Sequence, residues 1–584
     1  MPESRTVSAV FRQIVERRSD RHAVAYVGDP LDDATIRWWT YADVDRQARS
    51  IAGWLTQQAP PGSRVLLLYP AGGDFVTALL GCFYAGMVAV PSSMPGRYMH
   101  DQRRVLNIAR DAQISGVLTV DAELDSVRSW AEQTDLDAAI LATDTSELFP
   151  LAAEAIHPVR PDSVAVLQYT SGSTSDPKGV VITHENLLLN AASVHEGLNT
   201  DETSRFGGWI PNYHDMGLMG HILPPLVVGG QVVLMSPATF LRRPVTWLQL
   251  VDRFDLKLSA GPSFAYELCL NRVTDEEIAE LDLSGWQNAA NGSEPVNPTV
   301  LRAFTERFAA AGFRAENFSP CYGMAEATLV VSAFATGDPV VRRCDAAALA
   351  ENRIVPAAVD GEHRDLVSCG APVGIDLRIV DPATGVELPE GRVGEIWLNG
   401  PSVAQGYWQN PAATAAAFGH RVGDTDDFLR TGDLGTLLDG EVYVTGRIKD
   451  MIIVRGRNIY PHDVEQELRL HHPELRDRVG AVFTVPAGDG SPDGRLIVTH
   501  EVQKLPAGRD AADLIAGIRQ TVSREFGVRA YAVLLMRRGA VRRTTSGKIQ
   551  RSAMRALFQT GELQPLHADG YSAERTLATI GGLR

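Results

Sequence analysis

Short apolar runs rich in β-branched residues alternate with helical runs over the first ~430 residues, and this alternation limits the fold more than any other feature. VLLLY (65–69) leads into FVTALLGCFYAGMVAVP (75–91), which reads as strand, helix, strand in a buried layer. The second run carries Gly81 and Gly86 and ends at Pro91, short of the ~20 apolar residues a membrane-spanning helix needs. Further strands are expected at VAVLQY (164–169), QVVLM (231–235) and GEIWLNG (394–400), with helices over 185–196 and 300–312. Such a series predicts layered α/β sheets. The N-terminal MPESRTVSAVFRQIVERRSD alternates charged and apolar residues, which predicts an amphipathic helix and not a secretory signal. No integral membrane association is expected.

Past Gly423 the pattern changes. GDTDDFLRTGDLG and GEVYVTG suggest a hairpin, then GRIKD opens a second α/β cycle: MIIVRG, a helix near 462–470, AVFTV, RLIVTHEV, a helix near 511–525 and AYAVLLM. We expect a large N-terminal domain of several subdomains over residues 1–448 and a small α/β domain over 449–584. Charge divides at the same place. The chain carries a net −16 in its 584 residues, yet residues 450–584 hold 20 Lys+Arg against 15 Asp+Glu. Six basic residues and no acid fall between Arg537 and Arg551. The acidic whole argues against a nucleic-acid binder. Five scattered cysteines without a C-x-x-C pair argue against a disulfide scaffold or zinc site, and a cytoplasmic location is the expectation.

The segment richest in chemistry is YTSGSTSDPKGV, Tyr169 to Val180, directly after a predicted strand. Thr170, Ser171, Ser173 and Thr174 offer hydroxyl and N–H donors, Gly172 lets the backbone approach an oligophosphate, and Lys178 supplies positive charge. It is not a Walker A loop, because G-x-x-x-x-G-K-[ST] is absent. A Ser/Gly-rich surface turn would have the same composition. Five further segments follow in order: NGSEPV (291–296), YGMAEATL (322–329), RTGDLG (430–435), GRIKDMIIVRGRNIYPHDVE (446–465) and TTSGKIQR (544–551).

Together these resemble the signature set of the adenylate-forming superfamily, which includes acyl-CoA synthetases, peptide-synthetase adenylation domains and luciferases. The resemblance runs from about residue 20 to 555. It implies that a carboxylate attacks the α-phosphorus of ATP, pyrophosphate leaves and an acyl adenylate forms, with Mg²⁺ as the accompanying ion. By the same resemblance, residues 170–174 hold phosphates, and Gly292, Ser293, Glu294 and Pro295 line an adenine slot. Tyr322 stacks on the base with Gly323 and Met324 beside it, and Glu326 binds Mg²⁺. Asp433 accepts from the ribose hydroxyls and Arg447 contacts ribose or phosphate. Lys548 resembles the family's catalytic lysine, and Lys449 falls at its hinge. Each residue alone has a plainer reading: Tyr322 as core, Asp433 in a turn, Arg447 on the surface, Lys548 in a solvated basic tail. Ser175 stands where many relatives carry glycine.

The wording of LLLYPAGGDFVTALLGCFYAGMVAVP, GGWIPNYHDMGLMG and YGMAEATL resembles the fatty acyl-AMP ligase branch. So does the 41-residue stretch from Ala327 to Val367, which is longer than the link in typical CoA ligases and is expected to hold an insertion near 340–366. A tolerated surface loop would look the same. The resemblance implies activation of a medium- or long-chain fatty acid and transfer to the phosphopantetheine thiol of an acyl carrier protein, with fatty acyl-CoA synthesis as the rival outcome. About 30 residues follow Arg555 without an Asp-Ser-Leu attachment sequence, so the carrier is expected to act in trans on a monomer. Acyl-pocket candidates are Trp209, Asn212, Tyr213, Met216, Gly217, Ser259, Gly261 and Phe264. His214 is a candidate for positioning the carboxylate or for packing, and Asp215 keeps an amino-acid substrate open.

Overall fold

The computed structural model describes residues 6–571 apart from 97–98, 146–147, 149, 170–176, 335–336, 455–456, 477, 487–493, 503–509 and 545–546. The expected run of elements is present. The first helix spans Val7–Arg18 and is capped by the Thr6 hydroxyl. The apolar run after VLLLY divides into a helix, Gly73–Tyr84, and a strand, Val88–Ser92. Thr183 and Asn186 form a reciprocal capping box that starts the helix His184–Gly197. The second expected helix begins earlier than predicted, at Pro298, because Asn297 caps it and proline suits a first turn.

Strands from distant parts of the chain assemble into two large sheets, one of nine strands and one of six. Leu67 and Ala89 on the six-stranded sheet face Val24 and Val232 on the nine-stranded one across a shared helical layer, which includes Phe11, Ile51, Leu79 and Leu187. The outer face of the nine-stranded sheet is covered by an aromatic core around Trp247, Tyr266, Trp286 and Phe304. Burying each such side chain contributes about 1.5–3 kcal/mol. A third sheet pairs Gly394–Asn399 with Thr425–Leu438, and the latter with Glu441–Arg447.

The last part of the chain builds its own four-stranded sheet, Gly480–Val485, Arg495–Glu501, Ala530–Met536 and His567–Asp569. Its two faces have separate apolar cores, one around Leu468, Val498 and Ile518 and the other around Phe483, Leu534 and Phe558. This is a large N-terminal domain with a small C-terminal one, as expected. Lys449 lies in the turn that follows Glu441–Arg447. Residues 341–367 form an antiparallel pair, Val341–Asp345 with His363–Val367, and a short helix, Ala346–Ala350. Among the described residues no helix is long and apolar enough to cross a membrane.

Candidate active site

A cavity of about 910 Å³ opens where the carboxyl ends of central strands meet the third sheet and the small domain. Strand Phe318–Gly323 delivers Tyr322 to it. The next turn passes so close to Leu329 that a β-carbon on Gly323 would lie 1.9 Å from the Leu329 carbonyl, so glycine is required there. Asp433 and Arg447 face each other as register partners across the third sheet. Arg447 Nε donates to Asp433 Oδ1 at 2.5 Å and the Tyr322 hydroxyl donates to Oδ2 at 2.8 Å. Thr431 accepts the Asp433 N–H at 3.0 Å, completing a fixed triad of residues far apart in sequence. The Asp433 carboxylate raises the Arg447 pKa, so the guanidinium stays charged.

Glu326 sits on the short turn Ala325–Ala327 and its Oε1 accepts from the Tyr407 hydroxyl at 2.8 Å. The Lys178 ammonium lies 4.9 Å from the centre of the Tyr407 ring. Tyr407 was not among the residues picked from the sequence, since nothing at QGYWQN signals chemistry. Its role appears only because strand Gly179–Thr183 brings residues 405–408 beside it. Arg104 was also missed; it lines the same end of the cavity as Gln168, Tyr213 and Lys178. Burial lowers its pKa. Of the phosphate loop, Thr170, Ser171, Gly172, Ser173, Thr174 and Ser175 lie outside the described residues.

Ser293, Glu294 and Pro295 border the cavity, with Ser293 in the left-handed region at φ 70°. Glu294 Oε1 accepts the Phe264 N–H at 3.0 Å, and burial raises its pKa. Gly292 lies behind them, packed on Cys321. His214 Nδ1 pairs with Asp215 Oδ1 at 2.6 Å, and the Met216 N–H donates to the same oxygen at 2.7 Å. Burial opposes the Asp215 charge, but His214, Lys548 and that N–H together hold its carboxyl below the usual range. Asp215 is therefore an internal counter-ion.

Lys548 enters from the small domain. Its loop is closed by the Thr544 N–H on the Lys548 carbonyl (2.8 Å) and the Lys548 N–H on the Thr544 hydroxyl (3.0 Å). Behind it, Arg551 forks onto Glu465 with contacts of 2.8 and 2.6 Å. In front, Gly547 lies against the Phe264 ring at φ +88°, where a β-carbon would lie 2.7 Å from Phe264 Cε1. Burial lowers the Lys548 pKa, and the Asp215, Asp433 and Glu294 carboxylates counter it.

The acyl-pocket candidates fall into two groups. Tyr213, Met216 and Phe264 line the cavity; Trp209, Asn212, Gly217, Ser259 and Gly261 stand one layer behind it. Trp209 stacks on Phe240 at 4.2 Å and borders a separate void of about 10 Å³. Asn212 donates to the Pro70 carbonyl, and Ser259 accepts from the Trp247 indole N–H. Gly217 lets its turn close on the Pro211 carbonyl, and Gly261 underlies Trp247. Ser259 and Gly261 flank Ala260, which lines the cavity, so strand alternation turns them away; Trp209, Asn212 and Gly217 lie in the turn and wide helical segment after Arg205–Gly208, where packing sets the side-chain direction. The apolar lining includes Val194, Leu198, Leu258, Val300, Cys321 and Val330.

Residues 11–408 match the family of AMP-binding enzymes. A medium-chain-fatty-acid–[acyl-carrier-protein] ligase, JamA of Moorena producens (strain JHB), is 38% identical over 580 residues, 97% of each chain. The long-chain-fatty-acid–AMP ligase FadD26 of Mycobacterium marinum (strain ATCC BAA-535 / M) is 35% identical, covering 94% of this chain and 96% of its own. A structure from work on the fatty acyl-adenylate ligases of E. coli and L. pneumophila superposes with a TM-score of 0.86 at 31% identity, over 96% of this chain and 99% of that one. The chain therefore belongs to the AMP-binding enzymes and, within them, to the adenylate-forming fatty acyl-AMP ligases.

Proposed function

We propose that this enzyme uses ATP to convert a medium- or long-chain fatty acid into its acyl adenylate, and then passes the acyl group to the phosphopantetheine thiol of an acyl carrier protein supplied in trans, with AMP leaving as the thioester forms. The observation that carries this reading is the convergence of Lys548, the Tyr322–Asp433–Arg447 triad and an apolar wall on one cavity. The names of the relatives support the substrate and the acceptor. In the first step a carboxylate oxygen bonds to the α-phosphorus as the bond to the β-phosphate bridging oxygen breaks, and pyrophosphate leaves with the electron pair. An anion has to approach a polyanion, so the enzyme's task is positioning and charge neutralisation.

In this reading Tyr322 stacks on adenine, Asp433 takes the ribose hydroxyls and Arg447 holds ribose or phosphate. Lys548 bridges the carboxylate and the α-phosphate, while His214, tethered by Asp215, orients the carboxylate. Glu326 suits Mg²⁺, a hard ion usually held by one or two carboxylates plus substrate phosphates. Among the described residues no cluster of three metal-binding side chains offers an all-protein cage. The ion would neutralise charge on the phosphates, and Tyr407 would aim the Glu326 carboxylate. The small domain begins at Lys449 and turns about it between the two half-reactions. Its basic stretch, Arg537 to Arg551, is the proposed face for an acidic carrier.

The test is pyrophosphate release across a fatty-acid chain-length series, with product identification under three conditions: alone, with CoA and with a phosphopantetheinylated carrier. Acyl-AMP alone and acyl-carrier with the third addition are expected. Rapid acyl-CoA formation would establish the CoA-synthetase reading instead. Carrier-dependent turnover that ignores salt and Arg537→Glu/Arg538→Glu would overturn the docking face.

A further inference from the structure

Arg104 is half-buried on the helix Met99–Ala112 and lines the cavity with Gln168, Lys178 and Tyr213. Arg430, Arg447 and Arg551 on the same wall each face a carboxylate, that of Glu395, Asp433 or Glu465. Among the described residues Arg104 has no hydrogen-bond acceptor and no ion-pair partner. Burial lowers its pKa, and Tyr213 and Asp101 counter that through space. The helix follows strand Val88–Ser92 and precedes Gly116–Thr119, both parallel to Arg64–Leu68. It therefore runs back against them, and its first turns lie at their carboxyl edge. Near its far end Asp111 accepts from the Tyr169 hydroxyl at 2.5 Å. Arg104 stands two turns, about 10 Å, closer to that edge. Lys178 is there too, since Tyr169 pairs with Gly179, and its ammonium faces the Tyr407 ring whose hydroxyl holds Glu326. Gln168 Nε2 donates to the Tyr213 carbonyl at 2.9 Å, which keeps Tyr213 against the same strand end.

A guanidinium drawn partly out of water and left unmet is costly, and its planar fork matches the oxygens of a phosphate. We infer that Arg104 is a catalytic residue for the leaving group: with Lys178 it binds the β- and γ-phosphates of ATP and takes up the charge of the departing pyrophosphate. As the bond from the α-phosphorus to the bridging oxygen breaks, the electron pair passes to the pyrophosphate, and the guanidinium N–H groups donate to its oxygens. This rests on the adenylation reading above and supplies the positive charge that reading needs at the leaving group, while Lys548 serves the carboxylate and the α-phosphate.

The experiment measures fatty-acid-dependent ATP–pyrophosphate exchange and, separately, transfer from purified acyl-AMP to a phosphopantetheinylated carrier, a step in which pyrophosphate takes no part. The full-length enzymes are wild type, Arg104→Ala and Arg104→Lys. Arg104→Ala is expected to raise the KM for pyrophosphate about tenfold or more and to lower kcat/KM for ATP by a similar factor. Its transfer rate from acyl-AMP and its affinity for a non-hydrolysable acyl-adenylate analogue are expected to stay within about twofold of wild type. Arg104→Lys, which keeps the charge and loses the fork, should recover part of the pyrophosphate affinity. An unchanged KM for pyrophosphate in Arg104→Ala overturns the inference and leaves adenylation intact. A loss confined to carrier transfer also overturns it, and assigns the guanidinium to the phosphopantetheine phosphate. Equal losses in exchange and in analogue binding make the role structural and overturn it as well. Absence of exchange and of pyrophosphate release in the wild type, with every acid, refutes the adenylation reading itself.

Discussion

Two halves of the active site are held in different ways. The triad of Tyr322, Asp433 and Arg447 belongs to the large domain and is locked by hydrogen bonds of 2.5–2.8 Å. Lys548 belongs to the small domain, where Arg551 and Glu465 brace its loop. Its meeting with the large domain relies on Gly547 against Phe264 and on the field of Asp215, Asp433 and Glu294. Hydrogen bonds fix the first half where it stands. The second half is braced within the small domain and meets the first by contact and charge, as the proposed movement of Lys548 requires.

Replacing the delivered charge has the largest expected effect. Lys548→Ala should lower the rate of pyrophosphate release on the order of 100- to 1000-fold, with thermal unfolding little changed. The lowered Lys548 pKa also fixes a sign. Desolvation favours the neutral amine, so in the free enzyme activity should fall with rising pH below the ordinary lysine range of about 10.4. Lys548→Arg should remove that alkaline limb from the kcat/KM profile. A limb that persists in the arginine variant would assign it to another group.

Gly547→Ala tests the contact alone. A methyl group there meets Phe264 at a positive φ, so adenylate formation should fall roughly tenfold. Phe264→Leu in the same chain should recover part of the loss, and a double-mutant cycle would measure the coupling. In the fixed half, Tyr407→Phe removes one hydrogen bond from Glu326 and should raise the KM for MgATP about fivefold, equivalent to about 1 kcal/mol. The smallest effect is expected at Arg364, which links segment 341–367 to the small domain. It lies 3.9 Å from both Asp463 and Glu467, with Phe526 beneath it at 4.8 Å. Arg364→Ala should cost at most about 1 kcal/mol in thermal unfolding, less at high salt.

Much of this arrangement was legible beforehand. The strands Val164–Tyr169, Gln231–Met235 and Gly394–Asn399 follow from local β-rich runs, and the helix His184–Gly197 from its helical run. Of the motif residues, Tyr322 and Arg447 stand at strand ends and Glu326 and Lys548 in tight turns, where short motifs are fixed locally, while Asp433 lies within the strand Thr425–Leu438 and is set by its register against Arg447. Tyr407 and Arg104 carried no such signal. Their importance comes from neighbours more than 30 residues away, on strands that local propensity cannot pair.

The sequence by itself determined the α/β series, the split between a large and a small domain, and the order of the chemical segments. Backbone propensity and hydrophobic period act over a few residues and are written locally. Only the tertiary structure decided which side chains of those strands and of the turns between them look inward. It sent Trp209, Asn212, Gly217, Ser259 and Gly261 behind the wall and left Phe264 to receive Gly547. It also decided that Tyr407 would meet Glu326 across 81 positions of sequence. Side-chain direction and hydrogen-bond satisfaction depend on what folds against a segment, and that partner is chosen by the packing of the whole chain.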